Sequence, residues 1–223
     1  MYKALLHSLF FLLTVVGCVQ AQPPKGMGKS DPEAKKVLDA VSVKFKTFKT
    51  VKANFTLKVE NASGKVQGTK TGLVMMKGVK YKVSITGQEI FCDGTTIWTY
   101  DVSANEVQVT TLDNSSGSIT PQKLFTNFYD KDFLFVLNPE VKKGGKTYQV
   151  IELTPIDKTK PFFKVLLEVD KASKVLMSTQ VFEKNGNRYL YAINSMATTT
   201  PMPDDLFVFN TKKYPGVEVI DLR

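Results

Sequence analysis

Residues that could carry covalent or metal chemistry are scarce in this 223-residue chain. Its single histidine is His7, and its two cysteines are Cys18 and Cys92. His7 and Cys18 fall in an N-terminal stretch typical of an export signal, so the mature chain would keep no histidine and only Cys92, packed as a small apolar side chain. A Ser-His-Asp or Cys-His arrangement then cannot form, and no histidine can bind a metal. We therefore expect no catalytic residue, no metal site and no cofactor.

Two groups of carboxylates are the remaining candidates for acid–base chemistry. Asp204 and Asp205 follow a proline, which is typical of a turn or a helix cap. Asp130 and Asp132 are dispersed in a polar run. The chain also lacks the G-x-S-x-G, P-loop, G-x-G-x-x-G and C-x-x-C patterns. These features favour a protein that binds a ligand over one that transforms it.

The chain is rich in large apolar residues, with 15 phenylalanines and seven methionines. Methionine adapts to irregular apolar shapes and is common on binding surfaces. A curled sheet could hold an acyl chain, and burial of each methylene is worth roughly 0.8 kcal/mol. The alternative is that the same side chains fill an ordinary core. The residues expected to line such a cavity are Tyr81, Val83, Ile85, Ile90 and Trp98.

Period-two alternation predicts strands over most of the chain after Val51. At the centre, Asp93-Gly94 predicts a type I′ turn between strands near residues 88–92 and 95–100, with a third strand near 106–112. The apolar run Phe133–Leu137 does not by itself indicate a helix or a strand. Asn138-Pro139 is expected to interrupt the regular secondary structure after it.

Helical spacing appears near the N-terminus, after Ser30 or Asp31 as a capping residue and Pro32. Its apolar stripe comprises Ala34, Val37, Leu38, Val41, Phe45 and Phe48. A second, short helix is predicted at 121–129. Since helices do not alternate with strands, we predict a mainly β (α+β) fold, a single unclosed antiparallel β-barrel of about eleven strands with a helical lid. The domain would span 31–223 after a flexible lead-in at 22–30.

Residues 1–21 are predicted to form a signal peptide, cleaved after Ala21. The apolar run Ala4–Val16 is too short for a membrane span. An alternative is that Val15-Val16-Gly17-Cys18 is a lipobox and that Cys18 is acylated.

The formal charge is +9, or +8 after loss of Lys3. A basic exported protein could be drawn to an anionic membrane surface, although scattered lysines favour ordinary solvent-facing positions. The charge pattern predicts no nucleic-acid binding, because it shows neither an arginine-rich cluster nor basic–aromatic alternation.

An ordered set of motifs resembles one family. K-G-x-K-Y at Lys77–Tyr81, D-G-T-T-I-W-x-Y-D at Asp93–Asp101 and F-x-F…P-G-V-x-V at Phe207–Val219 resemble the LolA group of periplasmic outer-membrane lipoprotein carriers. The resemblance extends over about 31–221. It implies a non-catalytic periplasmic carrier that binds lipoprotein acyl chains in an apolar cavity and moves them from the inner to the outer membrane.

The resemblance also implies partners and site residues. The partners are acylated lipoproteins, an inner-membrane lipoprotein-releasing ABC transporter and an outer-membrane acceptor, with the carrier acting as a monomer. It places the five cavity residues named above along or behind the cavity. The lid side would comprise Val37, Leu38, Val41, Leu124, Phe125 and Phe128, with Pro121 starting the lid helix.

One position departs from the family pattern. Gly78 stands where well-studied members carry an arginine that ties the lid shut, so the latch must differ or be weaker here. Two other functions stay open: a membrane-anchored receptor or regulatory protein of the same fold that senses lipoproteins, and a lipid-acting enzyme, which the missing histidine disfavours.

Overall fold

The computed structural model describes residues 28–112 and 129–223, and its strands form one continuous twelve-stranded sheet. The strands, in chain order, are β1 (Val51–Glu60), β2 (Val66–Lys77), β3 (Lys80–Ile85), β4 (Gln88–Cys92), β5 (Thr96–Asp101), β6 (Glu106–Thr111), β7 (Phe133–Lys143), β8 (Lys146–Pro155), β9 (Phe162–Asp170), β10 (Leu176–Glu183), β11 (Arg188–Ala197) and β12 (Glu218–Asp221). The α-helices are α1 (Pro32–Lys46) and α2 (Tyr129–Asp132).

The order across the sheet is β12-β6-β5-β4-β3-β2-β1-β11-β10-β9-β8-β7. Neighbouring strands are antiparallel except β12, which runs parallel to β6. Within the described ranges the outer strands β12 and β7 do not pair with each other, so the curved sheet stays open. This confirms the predicted mainly β, unclosed antiparallel architecture, with twelve strands instead of about eleven.

Strand β7 accounts for one difference from the prediction. The run Phe133–Leu137 is its first half, and the strand continues through Asn138-Pro139 to Lys143. The expected interruption is therefore wrong. The pairing with β8 shifts between Asn138 and Val141, and this irregularity accommodates the proline in an outermost strand.

The central turn also differs. Three residues, 93–95, connect β4 and β5, and among them only Gly94 has a positive φ, of +102°. The predicted type I′ turn, which needs two such residues, is therefore wrong. The Asp93 Oδ1 atom instead accepts hydrogen bonds from the Thr95 and Thr96 backbone N–H groups, each at 2.8 Å. These hydrogen bonds from the Asp93 side chain stabilise the turn, which therefore needs only one residue with a positive φ.

Helix α1 begins at a capping residue that also reaches the sheet. Asp31 is the N-cap, and its Oδ1 accepts a hydrogen bond from the Glu33 N–H at 2.9 Å. The Asp31 N–H donates to the Phe135 carbonyl at 2.8 Å. The Leu137 N–H donates to Asp31 Oδ2 at 3.4 Å. These bonds hold the start of α1 against the unpaired edge of β7.

We call the side of the sheet that α1 covers the inner face. Val37, Leu38 and Val41 pack there in one cluster with buried residues of β7 to β10, such as Ile151 and Leu153. A second inner cluster, centred on β1 to β4, contains the buried residues Val51, Ala53, Met76, Tyr81 and Cys92. Phe45 and Phe48, from the C-terminal end of the predicted helical stripe, pack against this second cluster.

The opposite, outer face carries a third cluster beneath the C-terminal segment. Its buried members are Phe91, Tyr100, Val107 and Phe209, and Trp98 and Tyr214 pack against them. The Tyr214 ring stacks on Phe209 with centroids 4.4 Å apart. The segment that leads to β12 is thus fixed across the outer face of β4 to β6.

Glu89 ties the same segment down by charge. It accepts hydrogen bonds from the Tyr214 hydroxyl and from Ser84 Oγ (3.1 Å), and pairs with Lys82 Nζ at 2.9 Å. Partial burial alone would raise the pKa of the Glu89 carboxyl, but the bonds from Tyr214 and Lys82 outweigh it and hold this pKa below its ordinary value. The ionised carboxylate is therefore the form that the folded protein favours.

We expect Glu89→Gln to lower the free energy of unfolding by about 2 kcal/mol at pH 7, because charge-assisted bonds from two partners are lost. The folded pKa lies below the unfolded one, so this contribution is complete above about pH 4.3 and disappears as the pH falls through the folded pKa. Chemical denaturation between pH 7 and pH 2.5 should show the two proteins converging. Glu140→Gln, which removes an exposed pair with Lys171, is the control and should cost under about 1 kcal/mol. A constant gap at all pH values would contradict the assignment.

Candidate functional site

A partly open cavity of about 480 Å³ lies on the inner face, between the two inner clusters. Its size falls within the range of small-molecule sites. Its walls come from both halves of the chain, and most are apolar. The lining residues are Phe55, Val74, Met76, Val83, Ile90, Phe162, Leu176, Ser178, Thr179, Val181, Glu183, Tyr189, Tyr191 and Ile193.

Strand register explains why these side chains meet. Val74 lies opposite Val83, and Val83 lies opposite Ile90, so three adjacent strands present a row of branched side chains. On the other side, Phe55 of β1 lies opposite Ile193 of β11. Directly paired residues share one face of a sheet. Val74 pairs with Ala53 of β1, and Phe55 pairs with Gly72 of β2, so the two sets form adjacent rows on the same face that together extend from β4 across β1 to β11.

A glycine makes room for the phenyl ring of Phe55 in the cavity wall. Gly72 lies opposite Phe55 in the β1–β2 pair, and the Phe55 ring passes over it. A Cβ atom at residue 72 would lie 2.7 Å from Phe55 Cε1 and 2.9 Å from the Ser84 carbonyl oxygen. Glycine is thus required for a close approach that holds the aromatic ring flat in the cavity wall.

Polar groups lie at one side of the cavity. Glu183 is the last residue of β10, and its Oε2 accepts a hydrogen bond from Asn185 Nδ2 at 2.8 Å. Tyr191 is 38% exposed, so the cavity opens to solvent beside it. Burial of its ring raises the pKa of the Tyr191 phenol, and the nearby Tyr189 and Glu183 raise it further. An amphiphile could place its apolar part along Val74, Val83 and Ile90 and its polar end near Glu183 and Tyr191.

The sequence-predicted cavity residues divide into three groups. Val83 and Ile90 line the cavity. Tyr81 lies on the same face but one pair further along, opposite Met76 and Cys92, and is buried at 4% exposure in the second inner cluster. Ile85 lies at the end of β3, opposite Gly72, and is not among the described lining residues.

Trp98 lies on the other face. It pairs with Phe91 and packs in the outer cluster, whereas Ile90, next to Phe91, lines the cavity. Its predicted place beside the cavity therefore does not agree with the structure. The physical reason is register, since a strand residue opposite an outward neighbour must itself point outward.

The helix residues predicted for a lid are placed only in part. Val37, Leu38 and Val41 are buried beneath α1 against β7 to β10, and none is among the described lining residues. Leu124, Phe125, Phe128 and Pro121 lie outside the described residues, as do Cys18 and the cleavage site. Of the predicted second helix, the structure describes only Tyr129, which begins α2.

The second half of the chain supplies cavity residues that sequence reasoning missed. β9 to β11 contribute Phe162, Leu176, Ser178, Thr179, Val181, Glu183, Tyr189, Tyr191 and Ile193. The alternation Tyr189, Tyr191, Ile193 was a detectable signal for one buried face of β11. Its pairing with β1, between residues 128 to 145 positions apart in the chain, was not detectable from local patterns.

Neither a metal site nor a membrane-spanning helix is found in the described ranges. In residues 28–112 and 129–223, no three His, Cys, Asp or Glu side chains are grouped so that they could hold a metal ion. Over the same ranges, no helix has the length and apolar character that crossing a membrane requires.

An open antiparallel sheet with an apolar cavity on its helix-covered face defines a class of β-rich binding proteins. A family model described as "Outer membrane lipoprotein carrier protein LolA" matches residues 46–210. The chain therefore belongs to the LolA family of outer-membrane lipoprotein carrier proteins.

Individual relatives agree with this assignment. The chain is 30% identical over 188 residues to the outer-membrane lipoprotein carrier protein of Haemophilus influenzae, covering 83% of this chain and 82% of that one. It is 29% identical over 180 residues to the protein of the same name from Cupriavidus necator, covering 77% and 82%. A crystal structure of an uncharacterized conserved protein from Thermus thermophilus shares the fold, with a TM-score of 0.54 at 10% identity, covering 85% of this chain and 99% of that one.

Proposed function

We propose that this protein binds the acyl chains of lipoproteins in the inner-face cavity and carries them from the inner to the outer membrane. The observation that supports this most directly is the open apolar cavity of about 480 Å³ in a chain that belongs to a carrier family. The transport involves no covalent step, and the ligand is released chemically unchanged. The carrier works as a monomer formed by one domain, residues 31–223.

The energetics suit a carrier that must release its cargo. Burying ten methylenes offers roughly 8 kcal/mol of gross transfer free energy. Association and ordering consume roughly 4–15 kcal/mol of such a gain, so the net affinity is modest. A mostly apolar cavity with net affinity in this range therefore holds an acyl chain out of water while leaving it exchangeable with a membrane or an acceptor.

The partners follow from this route. Cargo enters from an inner-membrane ABC transporter that releases lipoproteins and leaves to an outer-membrane acceptor. The mature protein is periplasmic after cleavage behind Ala21. Acylation of Cys18 would instead anchor it and favour a receptor that senses lipoproteins, so the intact mass of the purified mature protein separates these two cases.

Ion pairs hold the turn in which Gly78 stands in place of the family's latch arginine. Gly78 lies in the β2–β3 turn with a φ of +58°, and the flanking Lys77 and Lys80 both bind Asp204, each at 2.8 Å. Hydrogen bonds from these two lysines lower the pKa of Asp204 to about 2. The lysines tie this turn to the C-terminal segment. Because Gly78 stands in place of the arginine, we infer that hand-over relies on a different latch or a weaker one.

The test is a release assay. Inner-membrane vesicles or spheroplasts loaded with a labelled lipoprotein are incubated with the purified mature protein, and the soluble fraction is analysed for a complex. We expect a soluble one-to-one complex, with Val83→Phe protein and buffer alone as the negative controls. Release to the level of buffer alone, from protein that still binds isolated acyl ligands, would contradict the carrier function and favour the receptor.

A further inference from the structure

We propose that the end of the sheet beside the cavity docks on an anionic lipid surface. This end, called here the basic rim, comprises the β8–β9 connection (156–161), the first residues of β9 (162–164) and the β10–β11 turn with its flanks (182–188). The inference rests on the proposed function for its purpose, since it states where an acyl chain passes between bilayer and cavity.

The cavity extends to the basic rim. Phe162 and Glu183 lie opposite each other at the ends of β9 and β10, and both line the cavity. The β9–β10 pairing is irregular at this point, and the next residue, Phe163, is 49% exposed. Ile156, in the connection before β9, is 51% exposed. Two large apolar side chains thus face solvent beside the end of the cavity.

The rim is basic, and its cations are not neutralised by carboxylates of the described residues. Lys158, Lys184 and Arg188 donate hydrogen bonds to backbone carbonyls, those of Pro155, Lys158 and Ala62. It carries five basic side chains, Lys158, Lys160, Lys164, Lys184 and Arg188, against two acidic ones, Asp157 and Glu183. Over the described residues, none of the five forms an ion pair within 4.0 Å. At the opposite ends of the same strands, lysines are paired: Lys143 with Glu168 (2.6 Å) and Lys146 with Asp170 (3.6 Å). The five rim cations thus keep their net positive charge at the end of the sheet where the cavity opens, whereas Lys143 and Lys146 at the other end are neutralised by carboxylates.

Two of these cations pack on aromatic rings. Lys164 Nζ lies 4.6 Å and the Arg188 Cζ 5.5 Å from the Phe182 ring centroid, and the Phe163 ring lies 6.2 Å from that of Phe182. Exposed apolar tips surrounded by long basic side chains suit a membrane–water interface, where the tips enter the acyl boundary and the cations meet anionic headgroups. Register places Phe182, Lys164 and Arg188 on the outer face, whereas Val181 and Glu183 line the cavity on the inner face. A chain leaving the bilayer at this rim would therefore pass over the strand ends to enter the cavity beside Phe162 and Glu183.

The experiment measures flotation of the cargo-free mature protein with vesicles. We expect binding to vesicles of phosphatidylethanolamine and phosphatidylglycerol, falling with added salt, and far weaker binding to phosphatidylcholine. Each cation near a charged bilayer is worth about 1 kcal/mol, or roughly a fivefold change in affinity. The variant K158Q/K160Q/K184Q should therefore bind at least tenfold more weakly, and Phe163→Ser at least threefold more weakly. The matched control K142Q/K143Q/K146Q, at the other end, should lose less than threefold.

A second measurement, tryptophan fluorescence, reports directly whether residue 163 enters the bilayer. Phe163→Trp in a Trp98→Phe background should shift its emission to the blue when anionic vesicles are added. No vesicle binding, equal weakening by both triple variants, or an unshifted emission would overturn the proposal. Equal binding to soluble polyglutamate, unaffected by Phe163→Ser, would indicate a general acidic-surface site and overturn it too. Displacement of a fluorescent fatty-acyl probe, measured without vesicles, tests the cavity separately, so failure of docking and failure of the proposed function are distinguishable.

Discussion

Replacing Val83 by phenylalanine is expected to weaken acyl-ligand binding at least tenfold while changing the free energy of unfolding by less than about 1 kcal/mol. Val83 is half-buried, and its side chain borders the cavity between Val74 and Ile90. A phenyl ring there enters unfilled space, so it displaces ligand without forcing neighbouring side chains from their rotamers. Displacement of a fluorescent fatty-acyl probe measures affinity, and urea denaturation measures stability.

The matched control is Val107→Phe. Val107 has no exposed surface and lies in the outer cluster, where no cavity is described. The added ring should overpack this site and cost about 1–3 kcal/mol, with probe affinity unchanged in the folded fraction. If Val83→Phe instead binds the probe normally and is destabilised like Val107→Phe, the space beside Val83 is ordinary core and the cavity is not the binding site.

The contrast between Val83 and Trp98 shows what sequence patterns can predict here. Alternation correctly places Tyr81, Val83 and Ile85 on one face of β3, because the period of a strand is two. It does not say which face of the next strand joins them. Ile90 pairs with Thr99, so Trp98 is displaced by one residue and points outward. The prediction grouped Trp98 with the cavity residues, but strand register places it on the outer face.

The larger omission has a topological cause. β1 pairs with β11, and this pairing closes the row from Phe55 to Ile193 and completes the cavity. Local patterns predicted both strands but could not bring them together, because partner choice depends on contacts far apart in the chain. The requirement for Gly72 was hidden for the same reason, since its neighbour Phe55 meets it only across a strand pair.

Phe209→Ala is expected to lower the free energy of unfolding by about 3–5 kcal/mol, the usual cost of removing a buried phenyl ring. Phe209 is 7% exposed, and its ring lies 5.5 Å from that of Phe91 and 4.4 Å from that of Tyr214. Its loss would leave a void under the segment that leads to β12, so the outer face of β4 to β6 would lose its cover. Urea denaturation followed by Trp98 fluorescence reports both the stability and the local packing.

Val208→Ala is the control for this change, because Val208 is the neighbouring residue, is 41% exposed and should cost about 0.5 kcal/mol or less. In native buffer the surviving folded fraction of Phe209→Ala should bind the acyl probe with unchanged affinity, since the cavity lies on the opposite face. A large loss of probe affinity in that folded fraction would mean that the two faces are coupled and that the C-terminal segment shapes the cavity through β4. A cost equal to that of Val208→Ala would mean that the outer cluster collapses around the void and that the segment is held mainly by the hydrogen bond from Tyr214 to Glu89.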